Sequence, residues 1–190
     1  ESQIKIIPVV QASDIKEVVL GTTLEVWVQS IDSAEFGAHT GAIIPEAVIE
    51  DGAIGTLLNH SENRPASFDE LAKTSDRAKE VGLKTLIFAR DLEELKNISS
   101  LNPTYVSYEP PEHIGASSTS VAEAQPEIIG KAHEIASAAG IPLIIGAGVH
   151  SREVVIICLD LGAVGVIVAS DIMKAEYPRQ ELMDLIEGFK

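Results

Sequence analysis

Two segments of the 190-residue chain carry side chains suited to moving protons, and both directly follow apolar runs. Asn59-His60-Ser61-Glu62 follows Ile54–Leu58, and Glu109-Pro110-Pro111 follows a run that ends in Tyr108. A histidine at a strand end can serve as a neutral electrophile or a proton shuttle. A carboxylate there, with two prolines behind it, starts its loop stiffly, and a general base gains from such a fixed orientation. Each segment also has a plain structural reading, a hydrogen-bonded imidazole for His60 and a solvated surface carboxylate for Glu109. The stretch from Glu112 to Ser120 (EHIGASSTS) is small, polar and glycine-bearing, as a loop that closes over a ligand would be.

Two more strand-end segments suit an anion. In Gly146-Ala147-Gly148 the small residues let backbone N–H groups approach a phosphate, although the same residues also make a tight turn. Ala169-Ser170-Asp171 follows the last apolar run. In parallel α/β proteins ligands sit beyond the carboxyl ends of the strands, and in barrels the last two such loops often hold phosphate. His39 lies in the turn-like loop Gly37-Ala38-His39-Thr40-Gly41, a candidate interface. His113, His133 and His150 have no partners at metal-ligand spacing, so no metal site is expected. The chain has neither a phosphate-binding P-loop nor a nucleophile elbow. Trp27 and Cys158 both sit in apolar runs and read as core.

The elements that would position these groups alternate regularly. Candidate strands are Lys5–Val10, Glu25–Gln29, Ile54–Leu58, Lys84–Ala89, Thr104–Tyr108, Pro142–Ile145 and Val164–Val168. They are continuously apolar more than alternating, as parallel strands buried on both faces are. Ser67 with Glu70 three residues later predicts a capping box, and Gly82 a helix stop. Pro45 and Pro126 suit first helical turns, Ser151 caps a helix running to Gly162, and Pro178 to Gly188 forms a closing amphipathic helix. Alternation without a composition break predicts one α/β domain over residues 1–190 with a parallel sheet. The pattern leaves a closed barrel and an open sheet equally open, and the length falls slightly short of a full eight-unit barrel.

The formal net charge is -15, which argues against nucleic acid or an anionic membrane surface as partner. Any anionic substrate must therefore meet a local positive site, such as a helix N-terminus. No apolar run approaches the roughly 20 residues of a membrane span, and no signal segment is expected. The single cysteine excludes an intramolecular disulfide and fits a reducing cytosol, so a cytoplasmic location is expected.

Taken in order, VWVQ (26–29), GAHTG (37–41), LLNHSE (57–62), YEPPEHIG (108–115), GAG (146–148) and VAS (168–170) resemble the triosephosphate isomerase family in its compact archaeal form. The resemblance covers nearly the whole chain and implies a TIM (β/α) barrel. It also implies cofactor-free interconversion of dihydroxyacetone phosphate and glyceraldehyde 3-phosphate. By position it makes Glu109 the base, His60 the neutral electrophile and Glu62 a support for proton transfer. It assigns phosphate binding to Gly115, Gly148, Ala169 and Ser170. The lid would comprise Pro110, Pro111, Glu112, His113, Ile114, Gly115, Ala116 and Ser117. Gly37, Ala38, His39, Thr40 and Gly41 would enter a neighbouring subunit of a homodimer or homotetramer.

Three departures stand out. The lid reads Ile114-Gly115-Ala116-Ser117 where the family has IGTG, and Asp171 replaces a small neutral residue. The family's first β/α unit, with its Asn-x-Lys, has no counterpart: seven of eight units are readable and residues 5–10 match the second strand. An isomerase whose first unit lies outside these 190 residues is the expectation. An impaired or inactive isomerase-like oligomeric module is the alternative.

Overall fold

A computed structural model describes residues 4–110, 120–146 and 148–190. The chain forms two compact units, one running through Phe88 and the other from Ala89 to Lys190.

In the first unit, β1 (Val9–Val10), β2 (Trp27–Val28), β3 (Gly55–Leu58) and β4 (Lys84–Ala89, whose last residue belongs to the second unit) follow one another. Each pairs in parallel with the next, in the registers Val9↔Trp27, Trp27↔Gly55 and Gly55↔Lys84. Between them lie α1 (Ile15–Gly21), α2 (Pro45–Glu50) and α3 (Phe68–Glu80). Parallel strands need such crossovers, because no tight turn can return the chain to the same end. The predicted strands are present but several are shorter, β1 and β2 covering two residues each where longer apolar runs stand. Trp27 is buried, as expected, and packs where only glycine fits: a Cβ on Gly55 would lie 2.3 Å from its ring. The capping box at Ser67 is half formed. Ser67 Oγ accepts from Glu70 N–H at 3.2 Å, while the Glu70 carboxylate accepts from Ser33 Oγ at 2.6 Å.

In the second unit, β5 (Tyr105–Tyr108), β6 (Leu143–Ile145) and β7 (Gly165–Val166) pair in parallel, with Val106↔Leu143 and Ile144↔Gly165 in register. The helices are α4 (Leu92–Ser99), α5 (Val121–Ala124), α6 (Pro126–Ala138), α7 (Arg152–Asp160), α8 (Ser170–Met173) and α9 (Pro178–Glu187). Pro126 and Pro178 occupy first-turn positions, where the missing N–H leaves no bond unmade. Ser151 Oγ accepts from Val154 N–H at 3.4 Å and starts α7, which ends two residues before Gly162. Gly162 takes φ +97°, a left-handed conformation suited to a helix stop, and the His133 ring packs against its bare Cα. Cys158 is buried on α7, where desolvation pushes its thiol up to about 12. The complete capping box lies at Ser120 and Glu123, one helix earlier than the Pro126 start signal.

The α/β class and the parallel β/α order expected from the sequence are those observed. Among the described residues no helix is long and apolar enough to cross a membrane.

Candidate active site

In the first unit β3 ends at Leu58 and the chain turns at Asn59, a buried residue with φ +61°. That turn delivers His60. Its imidazole meets the Phe88 ring edge-on, with centroids 4.8 Å apart and planes at 87°. Glu62 N–H donates to His60 Nδ1 at 3.3 Å. A nitrogen that accepts carries no proton, so neutral His60 is the tautomer with its N–H on Nε2. The imidazole can therefore offer an N–H to a substrate oxygen without itself being cationic. The Glu62 carboxylate lies 3.7 Å from the same Nδ1 and is otherwise turned to solvent, its side chain 84% exposed. A cavity of about 180 Å³ beside His60 is lined by Gln29, Ile31, Asn59, Arg64 and Glu70 among others.

The loop carrying Gly37, Ala38, His39, Thr40 and Gly41 is exposed and tied at its base. Asp32 N–H donates to Ile43 O at 2.9 Å, and Ile43 N–H returns a bond to Asp32 Oδ2 at 2.7 Å. Gly37 (φ +146°) and Gly41 (φ +92°) make its bends. Phe36, 76% exposed, stands beside them over a cavity of about 650 Å³ formed within the loop.

In the second unit Glu109 leaves β5 with its N–H bonded to Ala89 O at 2.9 Å, and Pro110 behind it is buried. The half-buried carboxylate rests over Gly146 at the end of β6. A Cβ on Gly146 would lie 2.9 Å from Glu109 Oε1 and 2.8 Å from Ile167 Cγ2. Gly146 thus leaves the space that the carboxylate occupies, a relation that sequence reading had missed. Gly148 has φ +72°, and its carbonyl accepts from His150 Nδ1 at 2.7 Å. Ala169 and Ser170 are exposed at the start of the single-turn helix α8, where Ile172 and Met173 N–H groups donate to Ala169 O at 3.2 and 2.9 Å. Asp171 lies in that first turn, and the N-cap residue Ala169 makes no side-chain cap bond. Pro111, Glu112, His113, Ile114, Gly115, Ala116, Ser117 and Ala147 lie outside the described residues.

Three features of this region went unread in the sequence: the left-handed turn at Asn59, the Gly146 seat of Glu109 and the capping box at Ser120. The last had a legible signal, Ser-x-x-Glu, overlooked beside Pro126. The described residues contain no group of three or more His, Cys, Asp or Glu side chains arranged to hold a metal ion.

The family model described as triosephosphate isomerase matches residues 2–188. A triosephosphate isomerase from Metallosphaera sedula is 42% identical over 189 residues, 99% of this chain and 82% of that protein. One from Saccharolobus solfataricus is 43% identical over 164 residues, covering 86% of this chain and 71% of the relative. One from Thermoplasma volcanium is 38% identical, again over 86% of this chain and 76% of the relative. With a family match along nearly its whole length and relatives near these identities, the chain belongs to the triosephosphate isomerase family, an α/β family of TIM-barrel fold.

Proposed function

We propose that this chain interconverts dihydroxyacetone phosphate and D-glyceraldehyde 3-phosphate by moving one proton between adjacent carbons. The reaction rearranges bonds without net oxidation, so its own chemistry calls for no redox partner. Glu109 takes the proton from C1 of the ketone, and the electron pair of that C–H bond becomes the C1=C2 bond of an enediolate. His60 donates its Nε2–H to the C2 oxygen as negative charge develops there, which lowers the barrier where the charge appears. Glu109, now protonated, returns the proton to C2, and proton movement between the two oxygens completes the aldehyde. Glu62 supports that movement through its hold on His60.

The observation that carries this reading is the Glu62 N–H···Nδ1 bond, which leaves neutral His60 an N–H to donate. Phosphate is bound by the backbone N–H groups of Gly115, Gly148, Ala169 and Ser170, as a helix start and glycine turns can do without a cation. Pro110 to Ser117 closes over the substrate and excludes water. Residues 1–190 belong to a single TIM-barrel domain, and the enzyme works in the cytoplasm. The Gly37–Gly41 loop inserts into a second copy, making a homodimer or homotetramer.

Steady-state isomerisation by wild type and Glu109→Gln tests the central assignment. The amide cannot take a proton, so kcat is expected to fall by about 10²- to 10⁴-fold, the usual contribution of a general base. Unchanged turnover in Glu109→Gln would remove Glu109 from the mechanism.

A further inference from the structure

We propose that Asn59 is the positioning residue for His60, acting through Phe88; the proposal rests on the reading of His60 as the polarising group. Asn59 is 5% exposed and holds φ +61°, a conformation uncommon for a residue with a Cβ. Such a turn persists when its surroundings over-determine it. Here the surroundings are specific. The Asn59 side-chain amide Nδ2 donates to Phe88 O at 2.8 Å, across from the last residues of β3. The β3–β4 register pairs Leu58 with Ile87, so Phe88 is the residue that Asn59 would meet if the ladder continued. The left-handed turn takes the backbone out of the ladder, and the side chain takes hold of Phe88 instead.

Phe88 is itself 2% exposed, and its ring is the surface on which the His60 imidazole stands. One residue is thus held by its carbonyl from Asn59 and supports His60 by its ring. The Glu62 N–H on Nδ1 fixes the remaining rotation of the imidazole. Three contacts therefore define where Nε2 points, and Asn59 supplies both the turn and the tie.

The side-chain chemistry explains why asparagine serves here. Glycine would adopt φ +61° freely but has no amide to give Phe88. Aspartate tolerates the same turn but, when ionised, presents oxygens that repel the Phe88 carbonyl. Protonated, its O–H can donate as the amide does, and both burial and that bond favour the protonated form.

The test compares wild type, Asn59→Gly and Asn59→Asp, with histidine isotopically labelled for NMR. In Asn59→Gly the His60 ring resonances are expected to move, because their ring-current environment at Phe88 changes. The kcat is expected to fall by about 10- to 100-fold, the scale of a misplaced catalytic group, with KM within about twofold. In Asn59→Asp the ratio of its kcat to that of wild type, taken at each pH, should rise as the pH falls and the new carboxyl protonates. Unshifted His60 resonances with wild-type kcat in Asn59→Gly would overturn the proposal. So would an Asp-to-wild-type ratio that stays far below one at every pH, down to the most acidic at which the protein remains folded. If wild type fails to isomerise, the proposed activity falls, while the resonance comparison still decides whether Asn59 places His60.

Discussion

Glu109 lies where it does because Gly146 presents no side chain beneath it. Replacing Gly146 with Ala puts a methyl 2.9 Å from the carboxylate and 2.8 Å from Ile167, closer than either contact tolerates. Gly146→Ala is therefore expected to displace the carboxylate and reduce kcat by up to about 100-fold, read from steady-state kinetics with thermal unfolding as the control for folding. A wild-type kcat would show that the carboxylate works from elsewhere. Cys158 makes the opposite kind of prediction. With its thiol pushed up to about 12 by burial, it should resist iodoacetamide at pH 8 in the native protein and react once the protein is unfolded. The two residues differ in how far the sequence exposes them. An apolar run around Cys158 announces its burial locally. The Glu109–Gly146 contact joins positions far apart in the chain, and no local pattern carries it.

At the scale of elements, α5 is a single turn that begins with a complete capping box. Ser120 Oγ accepts from Glu123 N–H at 3.2 Å, and Glu123 Oε2 accepts from Ser120 N–H at 2.9 Å. Ser120→Ala should lower stability by about 1 kcal/mol in a denaturant titration. The Ser120 backbone N–H holds the Glu123 carboxyl below its ordinary value of 4.5. A depressed carboxyl contributes stability that is present above the unfolded value and lost as pH falls through the folded one. The stability gap between wild type and Glu123→Gln should therefore narrow on acidification below about pH 4.5 and be steady at neutral pH. The long strands and helices were legible because buried parallel strands are continuous apolar runs, while α3 and α7 announce themselves through Ser67 and Ser151. Strand ends were not. In β1, β2 and β7 the apolar run outlasts the pairing, so apolar character alone does not mark the last ladder bond. Asn59 sits at such an end, and its left-handed turn follows from the tie to Phe88, which sequence spacing does not reveal.

For the whole molecule, the charge of -15 leaves a dianionic substrate dependent on local backbone donors rather than on a general attraction. Assembly belongs to this scale as well. If the Gly37–Gly41 loop enters a second copy, Phe36→Glu places a charge in the interface, and light scattering should show a smaller assembly than wild type. An unchanged mass would move the interface elsewhere. The ordered motifs made the family legible, because NHSE and EPPE each directly follow an apolar run that reads as a strand. They could not show how each group is held. The central claim is proton transfer through an enediolate on Glu109, and isomerisation of glyceraldehyde 3-phosphate in D₂O tests it most directly. Wild type should give dihydroxyacetone phosphate carrying deuterium at C1, because the proton held by Glu109 exchanges with solvent, and Glu109→Gln should form almost none. Product free of deuterium, or equal deuterated product from both proteins, would contradict the account.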